Sequence, residues 1–138
     1  GLNSHFFTAL MKKIHQIKLN KKQSITIWGN GRAKRELIFV DDLAEACVYF
    51  MNQNVTHNLI NIGTGIDQTI KQYTEKLLKI LIPERKVNIK FDSSKPNGTP
   101  QKLLDVSLAK KYGWVAKTDF TKSIIETYNS YLNQINNK

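Results

Sequence analysis

The residue types best able to do chemistry fall in a few short stretches. Ser94-Lys95-Pro96-Asn97-Gly98-Thr99-Pro100-Gln101-Lys102-Leu103-Leu104-Asp105 packs Pro, Asn-Gly and Pro closely together. That spacing predicts an irregular loop, neither strand nor helix. Lys95 and Lys102 bracket it. Ammonium groups beside backbone N–H groups freed by a loop suit a phosphorylated ligand; the same composition also describes a solvated turn. Arg35 follows Gly29-Asn30-Gly31 and precedes an apolar run. A guanidinium fork held there suits a diphosphate, or it screens the end of a strand. Trp28 stands just before that turn and either lines a cleft or packs into the core. His5 stands at the entrance of a helix, where an imidazole is a general acid or base or a surface residue of the cap region. Lys13 follows two turns later, displaced toward the polar side, within reach of a phosphate or of water alone. His15 and His57 lack such a setting.

Elements that would position these groups follow from periodicity. Phe7, Leu10, Ile14 and Ile17 mark one face of a helix from about Ser4 to Ile17. Ile25 to Trp28 predicts a short strand, and Glu36 to Val40 a second, apolar on both faces and so buried. Asp42-Leu43-Ala44-Glu45 has the pattern of a capping box opening a helix to about Met51. On that helix Cys47 is expected on the core side as a small buried hydrophobe. Leu59 to Ile62 reads as another buried strand, ended by Gly63-Thr64-Gly65. Thr69-Ile70-Lys71-Gln72 is a second capping box, and its helix stops before Pro83. Lys86 to Phe91 alternates as a half-exposed strand. A short helix from about Leu108 ends at Gly113, and a last one runs from near Asp119 to Leu132. Alternating helices and short strands give a mixed α/β or α+β class. Residues 1–132 read as one domain and 133–138 as a frayed tail.

Composition narrows the partners. The 138 residues carry 21 Lys and Arg against 11 Asp and Glu, a net charge of +10. That favours nucleic acid, a membrane surface or a phosphate-bearing substrate. The lysines are dispersed as pairs, without a basic block, and this argues against nucleic acid. No apolar run approaches the roughly 20 residues of a membrane span, and no signal peptide is visible at Gly1. The single Cys47 forms no internal disulfide, which fits a reducing compartment and a cytoplasmic location. A lone Gly63-x-Gly65 is not a dinucleotide fingerprint, and the chain has no P-loop, metal cluster or nucleophile elbow.

Five segments taken together carry a resemblance. Asn3-Ser4-His5, Trp28-Gly29-Asn30-Gly31 with Arg35-Glu36, Phe39 to Ala44, Asn61 to Gly65 and Ser94 to Asp105 occur in this order. The chain resembles the C-terminal half of the GDP-L-fucose synthase branch of the extended short-chain dehydrogenase/reductase (nucleotide-sugar epimerase) family. The Asn-Ser-His and Ser94–Lys102 segments are the branch-specific ones, and the likeness covers nearly the whole chain. It implies the substrate-binding part of a Rossmann-type enzyme, with one strand of the Rossmann sheet near residues 59–62. The N-terminal dinucleotide-binding domain, about 150 residues, would be absent from this sequence.

The resemblance also implies roles. The family epimerises C3 and C5 of GDP-4-keto-6-deoxy-mannose and reduces C4 with NADPH. His5 matches its catalytic acid/base, close to the nicotinamide. Lys13, Trp28, Arg35, Asn97 and Lys102 match substrate-binding positions. NADP would be bound mainly by the missing half, and the full enzyme would be a homodimer. Asn97 stands where the family usually has Asp, and Gln101 where it usually has Arg. The Tyr-x-x-x-Lys pair is not supplied by Tyr73 with Lys76 or by Tyr128 with Tyr131. The chain alone is therefore expected to be inactive. The alternatives are a GDP-sugar C4 reductase for another 4-keto sugar, such as a heptose, and a non-catalytic polyanion-binding module.

Overall fold

The computed structural model describes residues 5–138, His5 by its backbone alone. Helix α1, His5–Leu19, buries Phe7, Leu10, Met11, Ile14 and Ile17, the face its periodicity predicts. Strand β1, Ser24–Trp28, turns Ile25 and Ile27 inward and Thr26 and Trp28 outward. It pairs in parallel with a strand more than fifty residues later, so a long crossover must join them. That crossover begins with β2, Lys34–Glu36, and helix α2, Val40–Met51. It continues through β3, Asp67–Thr69, and helix α3, Ile70–Leu81. Strand β4, Asn88–Asp92, then lies beside β1, from Ser24 opposite Asn88 to Trp28 opposite Asp92. Strand β5, Gln101–Lys102, joins a second sheet in the order β3-β2-β5. Short helix α4, Ser107–Lys111, and long helix α5, Phe120–Asn136, complete the mixed α/β fold.

The main core is built where α1, α3 and α5 close on the β1–β4 pair. Phe7, Ile14, Ile25, Tyr73, Leu77 and Ile124 lie at its centre. Each such side chain contributes about 1.5–3 kcal/mol by leaving water. A smaller cluster of Ala46, Ala109 and Trp114 joins α2 to α4. Helix α3 starts as its capping box predicts: Gln72 N–H donates to Thr69 Oγ1 at 3.1 Å and Thr69 N–H to Gln72 Oε1 at 2.8 Å. Asp119 likewise caps α5 through Lys122 N–H at 2.8 Å.

Five local expectations need correction. The strand read from Glu36 to Val40 is confined to Lys34–Glu36, because its partners β3 and β5 extend no further. Leu37 and Phe39 are still buried, by packing rather than by a ladder. Asp42 is not a cap. Phe39 holds the N-cap position without a side-chain bond, and Asp42 lies inside the first turn, 4% exposed. Its carboxylate accepts from Lys117 N–H at 3.3 Å and Thr118 N–H at 3.2 Å, fastening the approach to α5. Residues 59–62 form no strand, and Leu59 is 78% exposed, since no described residue offers that stretch a ladder. Cys47 is exposed because the inward position of α2 is its neighbour Ala46. Finally, α5 extends to Asn136, past Leu132, because neither Gly nor Pro interrupts it. Val48 and Met51 of α2 also face solvent. Among the described residues no helix is long and apolar enough to cross a membrane.

Candidate functional site

The C-terminal ends of the parallel pair β1–β4 meet at Trp28 and Asp92. Ligands in α/β folds gather at such ends because loops there are released from the sheet together. Here the loop after β1 folds back at once. Gly29 N–H donates to Asp92 O at 2.9 Å, and Gly29 and Gly31 take φ of 76° and 72°. A Cβ on Gly29 would stand 2.3 Å from Asn97 Oδ1. Glycine is therefore required both by the turn and by the approach of the second loop.

That second loop is the Pro-, Asn- and Gly-rich segment. Asn97 Oδ1 accepts from Asn30 N–H at 2.7 Å, joining the two loops at their tips. Arg35 Nη1 donates to Thr99 O at 2.6 Å and to Lys34 O at 2.7 Å. The guanidinium is thus fixed beside Gly98, whose missing Cβ would lie 3.2 Å from Nη2. Nε and Nη2 carry further N–H groups for a ligand.

The loop is not irregular throughout. Lys34 N–H donates to Pro100 O at 2.8 Å, and the next two residues pair in parallel with β2 as β5. Pro100 lacks an N–H but accepts through its carbonyl, so pairing can begin with Gln101. Register sets Lys102 opposite Arg35, and paired residues project from one face of a sheet.

Trp28 does not pack into the core. It is 61% exposed, and Lys95 Nζ lies 5.5 Å from its ring centroid, a cation–π distance. Lys13 Nζ donates to Thr26 O at 2.8 Å, two residues before Trp28 on β1. An ammonium has three donors, so this bond leaves others for an anion. The structure therefore links Trp28 to Lys95, Asn97 to the turn that follows Trp28, and Arg35 to Thr99 with Lys102 opposite it in register, while Lys13 bonds to β1. The side chain of His5 lies outside the described residues.

The carboxylates of this edge have protein donors. Asp92 Oδ1 accepts from Ser94 N–H at 3.1 Å, and Asp67 Oδ2 accepts from Gln101 Nε2 at 2.6 Å. Asp105 is exposed, and hydrogen bonds from the Ser107 backbone and side chain hold its carboxyl below the usual range. Glu36 was not singled out from the sequence, although it adjoins Arg35. Its Oε2 accepts from Gly65 N–H at 2.5 Å and Thr64 Oγ1 at 3.2 Å, and its Oε1 from Leu104 N–H at 3.1 Å. The other histidines lie apart. His15 is buried with Nδ1 2.7 Å from Tyr128 Oη, and His57 Nδ1 is 2.7 Å from Tyr112 Oη. No group of three or more His, Cys, Asp or Glu among the described residues could hold a metal ion.

Tyr73 supports the site from beneath. It is 2% exposed, and its hydroxyl donates to Arg35 O at 2.8 Å. Burial, then the Asp67 and Glu36 carboxylates, pushes its pKa up to about 12. An unfolded phenol titrates near ~10. The folded pKa is raised, so this stabilisation is complete below pH ~10 and is lost as pH climbs toward 12. Tyr73→Phe should cost about 1 kcal/mol at pH 7 through the lost hydrogen bond. The gap to the parent should narrow above pH ~10 as the parent loses its tyrosine contribution. Urea midpoints at about pH 7 and 11 measure both effects; a gap independent of pH would contradict the assignment.

The geometry can be set beside known proteins. The model of the NAD dependent epimerase/dehydratase family matches residues 1–63. A putative GDP-L-fucose synthase 2 of Arabidopsis thaliana is 37% identical over 133 residues, 96% of this chain and 40% of the plant protein. A GDP-L-colitose synthase of Yersinia pseudotuberculosis is 38% identical over 98% of this chain and 44% of its own length. Among solved structures, a GDP-mannoheptose C4 reductase of Campylobacter jejuni with NADP bound superposes with a TM-score of 0.78 at 30% identity. That match covers 93% of this chain and 45% of the reductase. The chain thus spans less than half the length of these relatives. Motifs, fold and alignments together place the chain in the NAD dependent epimerase/dehydratase family, over the stretch it shares with GDP-L-fucose synthases.

Proposed function

We propose that this chain is the substrate-binding portion of an NADP-dependent GDP-4-keto-6-deoxy-mannose 3,5-epimerase/4-reductase. The carrying observation is that the 94–102 segment meets the turn after Trp28 through Asn97 and meets Arg35 through Thr99, with Lys95 over the Trp28 ring and Lys102 in register with Arg35. A diphosphate needs a fork and point charges on one side, and an exposed aromatic face suits a base or sugar. In this reading Arg35, Lys102 and Lys13 hold the diphosphate, Trp28 and Asn97 contact the rest of the nucleotide sugar, and His5 acts as acid/base near the cofactor. A polyanion-binding module would need no such focus, and its cations would be spread over unrelated faces.

NADP does not fit the residues described. The Gly63-Thr64-Gly65 turn already encloses the Glu36 carboxylate, with the Gly65 N–H facing that internal anion. The Gly29-Asn30-Gly31 turn is closed by Asn97 and leads into β2 rather than a helix. The reading therefore assigns NADP mainly to residues outside this chain, in a cytoplasmic homodimeric enzyme. What remains to this chain is to bind and orient the nucleotide sugar and to supply His5. The purified chain is accordingly expected not to oxidise NADPH.

A second reading, a C4 reductase for another GDP-linked 4-keto sugar such as a heptose, is favoured by the mannoheptose reductase likeness. Asn97 and Gln101 depart from the usual pattern in either case. Calorimetry with GDP, GMP and a GDP-sugar tests the shared claim. GDP should bind more tightly than GMP, with little salt dependence beyond that of one diphosphate. No heat with GDP, or equal affinity for GDP and GMP, would overturn it. In an enzyme carrying this stretch within a full-length chain, product NMR separates the readings, since only the first inverts C3 and C5.

A further inference from the structure

The Gly63-Thr64-Gly65 turn remains unexplained by ligand binding. It is arranged around a protein carboxylate. Gly63 is buried, and a Cβ there would stand 2.7 Å from Glu36 Oε2 and 3.0 Å from Oε1. Gly65, at φ 73°, presents its N–H to the same Oε2 at 2.5 Å, and Thr64 adds its hydroxyl at 3.2 Å. A glycine turn can aim backbone N–H at an anion, and here the Gly65 N–H faces an internal one. The other carboxylate oxygen reaches in a different direction. Oε1 accepts from Leu104 N–H at 3.1 Å, two residues after Lys102. Strand β5 has only two residues, so the ladder alone holds Lys102 weakly.

We propose that Glu36 is a positioning residue for the anion site, a carboxylate pin that locks Lys102 into register with Arg35. Glu36 ends β2, the central strand of its sheet, immediately after Arg35. One side chain thereby joins three segments: the strand carrying Arg35, the 63–65 turn and the segment carrying Lys102. Each of its oxygens accepts a charge-assisted bond, the stronger kind. Without the pin, Lys102 keeps its charge but loses its fixed place. This inference rests on the diphosphate-binding reading above.

Glu36→Gln tests it with little change of volume. An amide offers one accepting oxygen, so either the turn or the Leu104 bond faces an NH2 donor instead. Calorimetry with GDP should show affinity reduced about tenfold. Lys102→Ala should also weaken GDP, and the Glu36→Gln/Lys102→Ala pair should be no weaker than Lys102→Ala alone. Glu36→Gln with Lys13→Ala should instead multiply. A purely structural role would make Glu36→Gln multiply with both, and that outcome overturns the proposal. Gly63→Ala, which pushes on the carboxylate, should reproduce the Glu36→Gln loss.

Amide exchange keeps the two claims separable. In Glu36→Gln the Gly65 and Leu104 amides should exchange faster together. If they do and the parent fails to bind GDP, the diphosphate reading falls and the positioning role for that ligand falls with it. If the parent binds GDP while those amides and the affinity are unmoved in Glu36→Gln, only the pin is wrong.

Discussion

Replacing Arg35 with alanine should weaken GDP binding about 100-fold, equivalent to about 3 kcal/mol. Two losses combine. The ligand loses charge-assisted bonds from a guanidinium held by Thr99 O and Lys34 O. The loop also loses its anchor, because Thr99 then has no guanidinium donor and Gly98 faces a gap. Arg35→Lys keeps the charge and should recover only part of the affinity, since one ammonium cannot reach both the carbonyls and a diphosphate as a fork does. The loss should be smaller with guanosine, which has no phosphate. Calorimetry with GDP and guanosine measures these effects. Arg35→Ala binding GDP as tightly as the parent would remove this residue from the site and leave the convergence without its centre.

The parts of the fold legible in the sequence were those decided locally. The capping box at Thr69–Gln72 specifies its own hydrogen bonds within four residues, and α3 starts there. The α1 stripe names its buried face because one helix turn repeats against a single core. Trp28, Arg35, Asn97 and Lys102 were nominated by residue type and resemblance. Their meeting depends on two contacts across more than sixty residues, Asn30 with Asn97 and Arg35 with Thr99.

Elsewhere a distant partner decided the outcome. Residues 37–40 and 59–62 have strand composition, but a strand exists only where a neighbour pairs with it. The Pro-bounded loop has the composition of a segment excluded from sheets, yet Pro100 offers a carbonyl and the next two residues do pair. In the sequence Glu36 stands out only as the neighbour of Arg35. Its three donors come from positions 64, 65 and 104. The Gly-x-Gly signal could have found it, had the absence of a following helix start prompted a search for an internal anion.

Asp42 gives the second large effect, this time on stability. Asp42→Ala should destabilise the chain by about 1–3 kcal/mol, because the part-buried backbone N–H groups of Lys117 and Thr118 lose the buried carboxylate that accepts from them. That is a large share of the ~5–15 kcal/mol that holds a typical domain folded. Asp42→Asn keeps one accepting oxygen and should lose about half as much. The comparison with Glu45 is decisive, since a capping box would make these two residues partners in the start of α2. Instead Glu45 meets Lys117 Nζ at 3.8 Å with both side chains largely exposed. An exposed pair of this kind contributes about 0–1 kcal/mol, so Glu45→Ala should scarcely move the urea midpoint. If Asp42 and Glu45 acted as a cap, both substitutions would instead shift it alike and fray the first turn of α2. Amide exchange distinguishes the cases: Asp42→Ala should expose Lys117 and Thr118, seventy-five residues away in sequence, while Leu43 stays protected by its bond to Phe39 O.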